Sequence, residues 1–206
     1  MPARKPSSPP LPFPGLLLLA AVLLAIGAAG AWFRIADTTR NPLWLDEGYS
    51  AYAAAKGFAF LWHVTPLYET HPPFYYSLLR VWTLLFGDSL VALRALGIAC
   101  GLLTLGVALF LARELARWFS PAIRFLPLAP LLLLLAAFSP ALVGMAREVR
   151  PYPVMILVYA GALLTLLRLG RIAAREGRID RAAFGLYVCA LALILWLHNL
   201  GPLYGL

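Results

Sequence analysis

From Gly15 to Phe33 the chain runs for 19 residues without a charged side chain. As an α-helix that run is about 28 Å long, close to the hydrocarbon thickness of a bilayer. Further apolar runs extend from about Leu90 to Leu111, from Phe125 to Val143 (interrupted by Pro127, Pro130 and Pro140), from Tyr152 to Leu169, and from near Ala182 to about Leu200. Backbone polar groups in lipid must be satisfied within the protein, so such runs fold as helices. The expected fold is an all-α polytopic transmembrane bundle of about five spans. Composition agrees: 62% of residues are hydrophobic and 13% charged, where a soluble domain is roughly 45–50% apolar.

The net charge of +8 does not signal nucleic acid. The arginines punctuate apolar runs and form no basic face interleaved with aromatics. Cys100 and Cys189 both sit inside apolar runs, where small packing residues are a better reading than a disulfide. Residues 1–14 are Pro-rich and basic and are expected to be disordered. Residues 15–206 contain no repeat or Gly/Ser linker and read as one domain, with a first non-cytoplasmic loop at about 36–88. The first apolar run exceeds the usual 7–15 residues of a signal-peptide core, so it is read as a retained span.

Pro73–Gly87 is apolar, but its 15 residues span only about 22 Å as a helix. Its length and aromatic content favour a helix lying at the membrane interface. Charge distribution tests this independently. If the segment does not span, Arg4, Lys5, Arg113, Arg117, Arg124, Arg168, Arg171, Arg175, Arg178 and Arg181 share one side. That gives ten basic residues against seven. If it spans, the eight loop arginines move across and leave two on the N-terminal side. The positive-inside rule selects the first arrangement. Asp37, Asp46, Glu47, Glu69, Asp88, Glu148 and the three histidines, His63, His71 and His198, then fall on the non-cytoplasmic side.

Two motifs in the first loop carry chemistry. Asn41-Pro42 signals a turn, and Leu45–Lys56 reads as a short helix with Asp46 and Glu47 in its first turn. The helix dipole favours negative charge there and leaves a carboxylate able to accept a proton. The plainer reading is an ordinary acid at a helix N-terminus. Neighbouring residues diverge by about 100° on a helix, so the two cannot aim at one atom. One base and one supporting residue is the better description. His71-Pro72-Pro73 stiffens the start of the next helix. His71 either is an interfacial histidine or orients a carboxylate, contacts substrate or binds metal. Glu69, two residues earlier, makes a Glu-x-His pair, which is weak evidence for a metal site; a divalent metal is possible but not required by the sequence. Arg147-Glu148-Val149-Arg150-Pro151-Tyr152 opens the fourth run on the same side. Arg147 and Arg150, three apart, are expected to share a helix face and suit a phosphate, the alternative being interfacial snorkelling. Arg94, just inside the second run, should face protein or a wet cavity.

Leu-Asp-Glu after a first span, His-Pro-Pro-Phe-Tyr-Tyr, an Arg near the next span's start, and Arg-Glu-x-Arg-Pro-Tyr together resemble the GT-C integral-membrane glycosyltransferases. The likeness is to the bacterial branch akin to protein O-mannosyltransferases and lipid A aminoarabinose transferases. It covers about Gly15 to the end. Such enzymes have eleven or more spans, so the chain resembles their N-terminal part and reads as a fragment. The resemblance implies an enzyme of the cell inner membrane. It implies inverting sugar transfer from a polyprenyl-phosphate donor to a lipid, glycan or protein acceptor at the non-cytoplasmic face. Asp46 would be the general base, Glu47 would support the site or bind substrate, and Glu69 would be a second catalytic candidate. His71 and Tyr75 would line the site. Arg147, Arg150 and Arg94 would steady the departing lipid phosphate, with Tyr152 beside them. Two other classes fit the same residues. One is a transporter or lipid-carrier flippase using them as a relay or gate. The other is a non-catalytic assembly subunit.

Overall fold

The computed structural model describes residues 13–67, 69, 71–118 and 125–198. Most of the expected N-terminal tail and the end of the fifth apolar run lie outside them. Among the described residues the fold is all helical. The helices are α1 (Phe13–Ile35), α2 (Leu45–Lys56), α3 (Phe58–His63), α4 (Phe74–Phe86), α5 (Leu90–Trp118), α6 (Phe125–Phe138), α7 (Pro140–Ala146), α8 (Tyr152–Glu176) and α9 (Arg181–Leu197). A short 3-10 turn, Thr65–Leu67, follows α3.

Among the described residues, three helices are long and apolar enough to cross a membrane: α1 from Pro14, α5 and α8. The pair α6–α7, bent by 57°, makes a fourth if counted as one span. α9, with 17 residues, is an apolar helix shorter than these. The amphipathic α4 is not among the spanning helices; it buries Tyr75, Tyr76 and Leu79 and leaves Leu84, Leu85 and Phe86 outward. Helix α5 is the centre of the bundle. Its apolar window is 44% buried, against 11% for α1 and 17% for α8, and α1, α4, α6, α7 and α8 all pack on it. α5 and α8 also run seven residues past their expected ends, Leu111 and Leu169, carrying arginines with them.

The break between α6 and α7 has a chemical cause. Pro140 has no N–H to donate to the Ala136 carbonyl one turn back. Arg34, at the end of α1 and 1% exposed, takes over that acceptor. Its Nη2 donates to Ala136 O at 2.7 Å, and its Nη1 to Ala137 O at 3.1 Å and Gly30 O at 2.9 Å. A guanidinium thus replaces the missing amide and ties α1 to the bend. Close approach on the other side depends on glycine. A Cβ at Gly97 of α5 would lie 2.8 Å from Ala146 O and 3.0 Å from Glu148 O. One turn on, a Cβ at Gly101 would lie 2.7 Å from the Ala146 Cβ. These two small residues let the α7–α8 connection rest directly on the α5 backbone.

The loop helices sit over the ends of α5 and α8. Ala53, Ala54, Leu61, Tyr75, Tyr76 and Leu79 form one core with Leu93, Leu96, Cys100, Val149, Val154 and Leu197. Trp82 Nε1 donates to Ala92 O at 2.8 Å, which fixes α4 on the start of α5. This cap is the platform on which the charged motifs are held.

Candidate functional site

Helix α2 starts where the sequence suggests, and its first turn separates the two acids. Glu47 is 1% exposed. Its Oε1 accepts from Arg94 Nε at 3.3 Å and from Val149 N at 2.9 Å. Its Oε2 accepts from Arg94 Nη2 at 2.9 Å and from Trp44 N at 3.2 Å. The last bond caps the helix start: a side chain at the third helical position reaches back to the residue before the helix. Four donors leave Glu47 no free acceptor site for substrate. Glu47 is therefore not placed to take a proton, and its bonds tie α2 to α5 and to the turn before α8.

Arg94 is equally committed. Besides Glu47 it donates from Nη1 to Thr38 O and to Asn41 O (2.9 Å), and from Nη2 to Pro42 O at 3.2 Å. That uses all five of its N–H groups. The expectation that it faces protein holds, but it has no donor left for a lipid phosphate. It clamps the 38–42 loop onto α5.

Asp46 points elsewhere, and its side chain is 44% exposed. Arg150, 5% exposed overall, lies beside it, with Nη2 at 3.6 Å from Asp46 Oδ2 and Nη1 at 3.5 Å from Asp46 O. The same Nη2 lies 3.0 Å from His71 Nε2. A guanidinium can only donate, so Nε2 accepts and the imidazole proton sits on Nδ1. That Nδ1 is buried without a hydrogen-bond partner among the described residues. The His71 ring lies 4.4 Å from that of His198, tilted by 49°, and His198 caps the end of α9 and lies 6.2 Å from the Tyr152 ring. Tyr152 in turn lies under Arg150, 5.9 Å from the guanidinium carbon. Glu69 closes the group: its Oε1 accepts from His71 N at 3.3 Å, and its carboxylate adjoins the Tyr76 hydroxyl.

The electrostatics of this cluster are one-sided at the histidines. Burial lowers the pKa of His71, and the neighbouring His198 and Arg150 lower it further, against Glu69 and Asp46. Burial and Arg150 also lower the pKa of His198. Burial and Glu69 hold the Tyr76 hydroxyl protonated, above the ordinary tyrosine range. Burial opposes the charge on Arg150, but the Tyr152 hydroxyl, Tyr76 and Asp46 outweigh it. Glu148 is pushed up by burial and by the nearby Glu47 and Asp46. Neutral imidazoles thus surround a fixed positive charge and an open carboxylate.

Two further expectations change. Arg147 and Arg150 do not share a helix face, because residues 147–151 form a non-helical turn. Pro151 disfavours helical geometry at the residue before it, so the helix begins only at Tyr152. Arg150 joins Asp46 and His71, while Arg147 lines a separate 280 Å³ pocket with Asp37, Trp44, Arg94 and Glu148. Tyr75 is 2% exposed and packs edge-on against Tyr76 at 5.6 Å, so it is a core residue and does not line the site. His198 and Tyr76 join the cluster without having been singled out as site residues. His198 ends an apolar run on the same side as His71, which was the available signal. Among the described residues no three His, Cys, Asp or Glu side chains are grouped to hold a metal ion.

Comparison with protein-family models, with curated proteins and with solved structures finds no match to this chain.

Proposed function

We propose that the chain carries the reaction site of an inverting membrane glycosyltransferase of the GT-C kind, using a polyprenyl-phosphate sugar at the non-cytoplasmic face of the inner membrane. In this reading α9 and the α6–α7 pair both cross, giving five spans, and α4 lies at the interface. The observation that carries the proposal is the division of labour between adjacent acids. Glu47 is saturated by backbone and Arg94, while Asp46 is open to solvent beside a buried arginine.

The chemistry follows from that geometry. The acceptor hydroxyl gives its proton to the Asp46 carboxylate as its oxygen bonds to the sugar's anomeric carbon. The bond from that carbon to the phosphate oxygen breaks, and its electron pair leaves with the lipid phosphate. A preplaced Arg150 stabilises the developing negative charge. Neutral His71 accepts from Arg150 and keeps the guanidinium aimed beside Asp46. Glu69, at the rim by His71 and Tyr76, is the second carboxylate within the site. The acceptor is a lipid, glycan or protein hydroxyl.

The test is Asp46→Asn, with transfer from a polyprenyl-phosphate sugar measured in membranes. Loss of a general base lowers the rate by roughly 10²–10⁴-fold. Full activity in correctly folded Asp46→Asn protein would sink the assignment. One observation favours a second reading: the α6–α7 break resembles the discontinuous helices of transporters. Retained transfer together with lost lipid-carrier translocation in the same variant would select it.

A further inference from the structure

At the far end of α5, about 28 Å from Arg94 at 1.5 Å per residue, a second polar feature lies between α5, α8 and α9. It is a cavity of about 370 Å³. Its polar wall holds Arg113, Arg117 and Arg168, and its apolar wall holds Phe110, Leu164 and Leu186.

The charge there is unbalanced. Glu114, 3% exposed, is the acid in the lining. Its Oε2 pairs with Arg117 at 3.1 Å, and its Oε1 with Arg171 from α8. Arg168 pairs with Asp180 at 2.7 Å. Arg113 makes no ion pair among the described residues. The buried Glu114 and the partly exposed Asp180 thus serve four arginines, and the side chains of Arg117 and Arg168 remain 46% and 53% exposed. Trp118 donates from its indole to Leu167 O at 2.8 Å beside this group, as expected of an aromatic anchor at the interface.

We infer that this cavity binds an anionic phospholipid. Its phosphodiester lies among Arg113, Arg117 and Arg168, and an acyl chain runs along Phe110, Leu164 and Leu186. Guanidiniums match phosphate oxygens in charge and in paired-donor geometry. A soluble anion would use only the polar wall. A lipid uses both walls, and basic pockets between transmembrane helices suit anionic headgroups on this physical basis. The site lies at the opposite end of the bundle from Asp46 and is independent of the proposed reaction.

The experiment is native mass spectrometry of the detergent-purified protein with phosphatidylglycerol or phosphatidylcholine of identical acyl chains. Wild-type protein retains phosphatidylglycerol preferentially. Arg113→Gln weakens retention about fivefold, and Arg113→Gln with Arg117→Gln weakens it by about that factor again. Equal retention of both lipids by wild-type protein overturns the inference without recourse to any variant. Unchanged phosphatidylglycerol affinity in the folded Arg113→Gln protein also overturns it. Glycerol phosphate binding as tightly as the lipid would show a soluble-anion site instead.

Discussion

Replacing Glu47 by Gln leaves the Arg94 guanidinium, 7% exposed, without its counter-charge. Breaking a buried pair from one side costs about 3–5 kcal/mol. Asp46→Asn removes a half-exposed contact at 3.6 Å and should cost under about 1 kcal/mol. Unfolding of the two variants in mixed micelles should therefore differ widely, although the residues are adjacent. Equal destabilisation would contradict the supporting role of Glu47. His71 adds a pH dependence. Its folded pKa lies below its unfolded value of about 6.5, so the unfolded chain binds the extra proton. The stabilisation is complete above about pH 6.5 and is lost as pH falls through the folded value. Protonation would also set a second cation against Arg150. The unfolding midpoint should drop with acidification below that pH, and His71→Gln should flatten the slope.

At the scale of the element, the bend between α6 and α7 is a local exchange of one donor for another. Arg34→Leu strands the Ala136 and Ala137 carbonyls and should cost about 2–4 kcal/mol. Adding Pro140→Ala restores an amide for Ala136 and should recover part of that loss, a coupling that a double-mutant cycle reads directly. Additive losses would show that Arg34 does not compensate for the proline. Gly97→Ala should shift the 147–150 turn, because the added carbon meets two backbone oxygens; overpacking of this kind costs about 1–3 kcal/mol. Much of this element layer was legible in the sequence. Hydrophobic run length gave α1, α5 and α8, and the turn signal at Asn41-Pro42 gave α2 its bounds. What could not be read was the course of residues 147–151: a three-residue spacing implies a shared face only if the backbone is helical, and Pro151 removes that condition. The carbonyl partners of Arg34 and Arg94 were equally hidden, because backbone acceptors leave no mark in a side-chain pattern, and the Arg94–Glu47 pair joins residues 47 apart in the chain.

For the molecule as a whole, the charge asymmetry predicts an orientation that can be measured. A cysteine at Asp88, in the connection before α5, should react with a membrane-impermeant maleimide added from the non-cytoplasmic side. A cysteine at Arg178, between α8 and α9, should react only after the membrane is breached. The reverse pattern would invert the topology and move Asp46 to the cytoplasm. Large outward side chains such as Leu17, Leu18, Leu24 and Trp32 on α1 fit contact with lipid or with further helices. The site residues come from α2, the loop before α4, the turn before α8 and the end of α9. Their convergence was only partly readable, because it depends on tertiary closure over more than 100 residues of chain, as from Asp46 to Arg150.

The bonds at Glu47 also set an order of events during synthesis. Its partner Trp44 is already made, but Arg94 lies 47 residues downstream and the Val149 amide 102 residues downstream. At roughly 5–20 residues per second, the carboxylate waits about 5–20 s after its own synthesis before the last donor exists. Until residues 147–151 are made, the cap formed by α2 and α4 lacks Val149 from its core and should be open to protease. Nascent chains arrested before residue 149 should therefore be cut in the 36–74 region, and chains arrested well beyond α8 should resist.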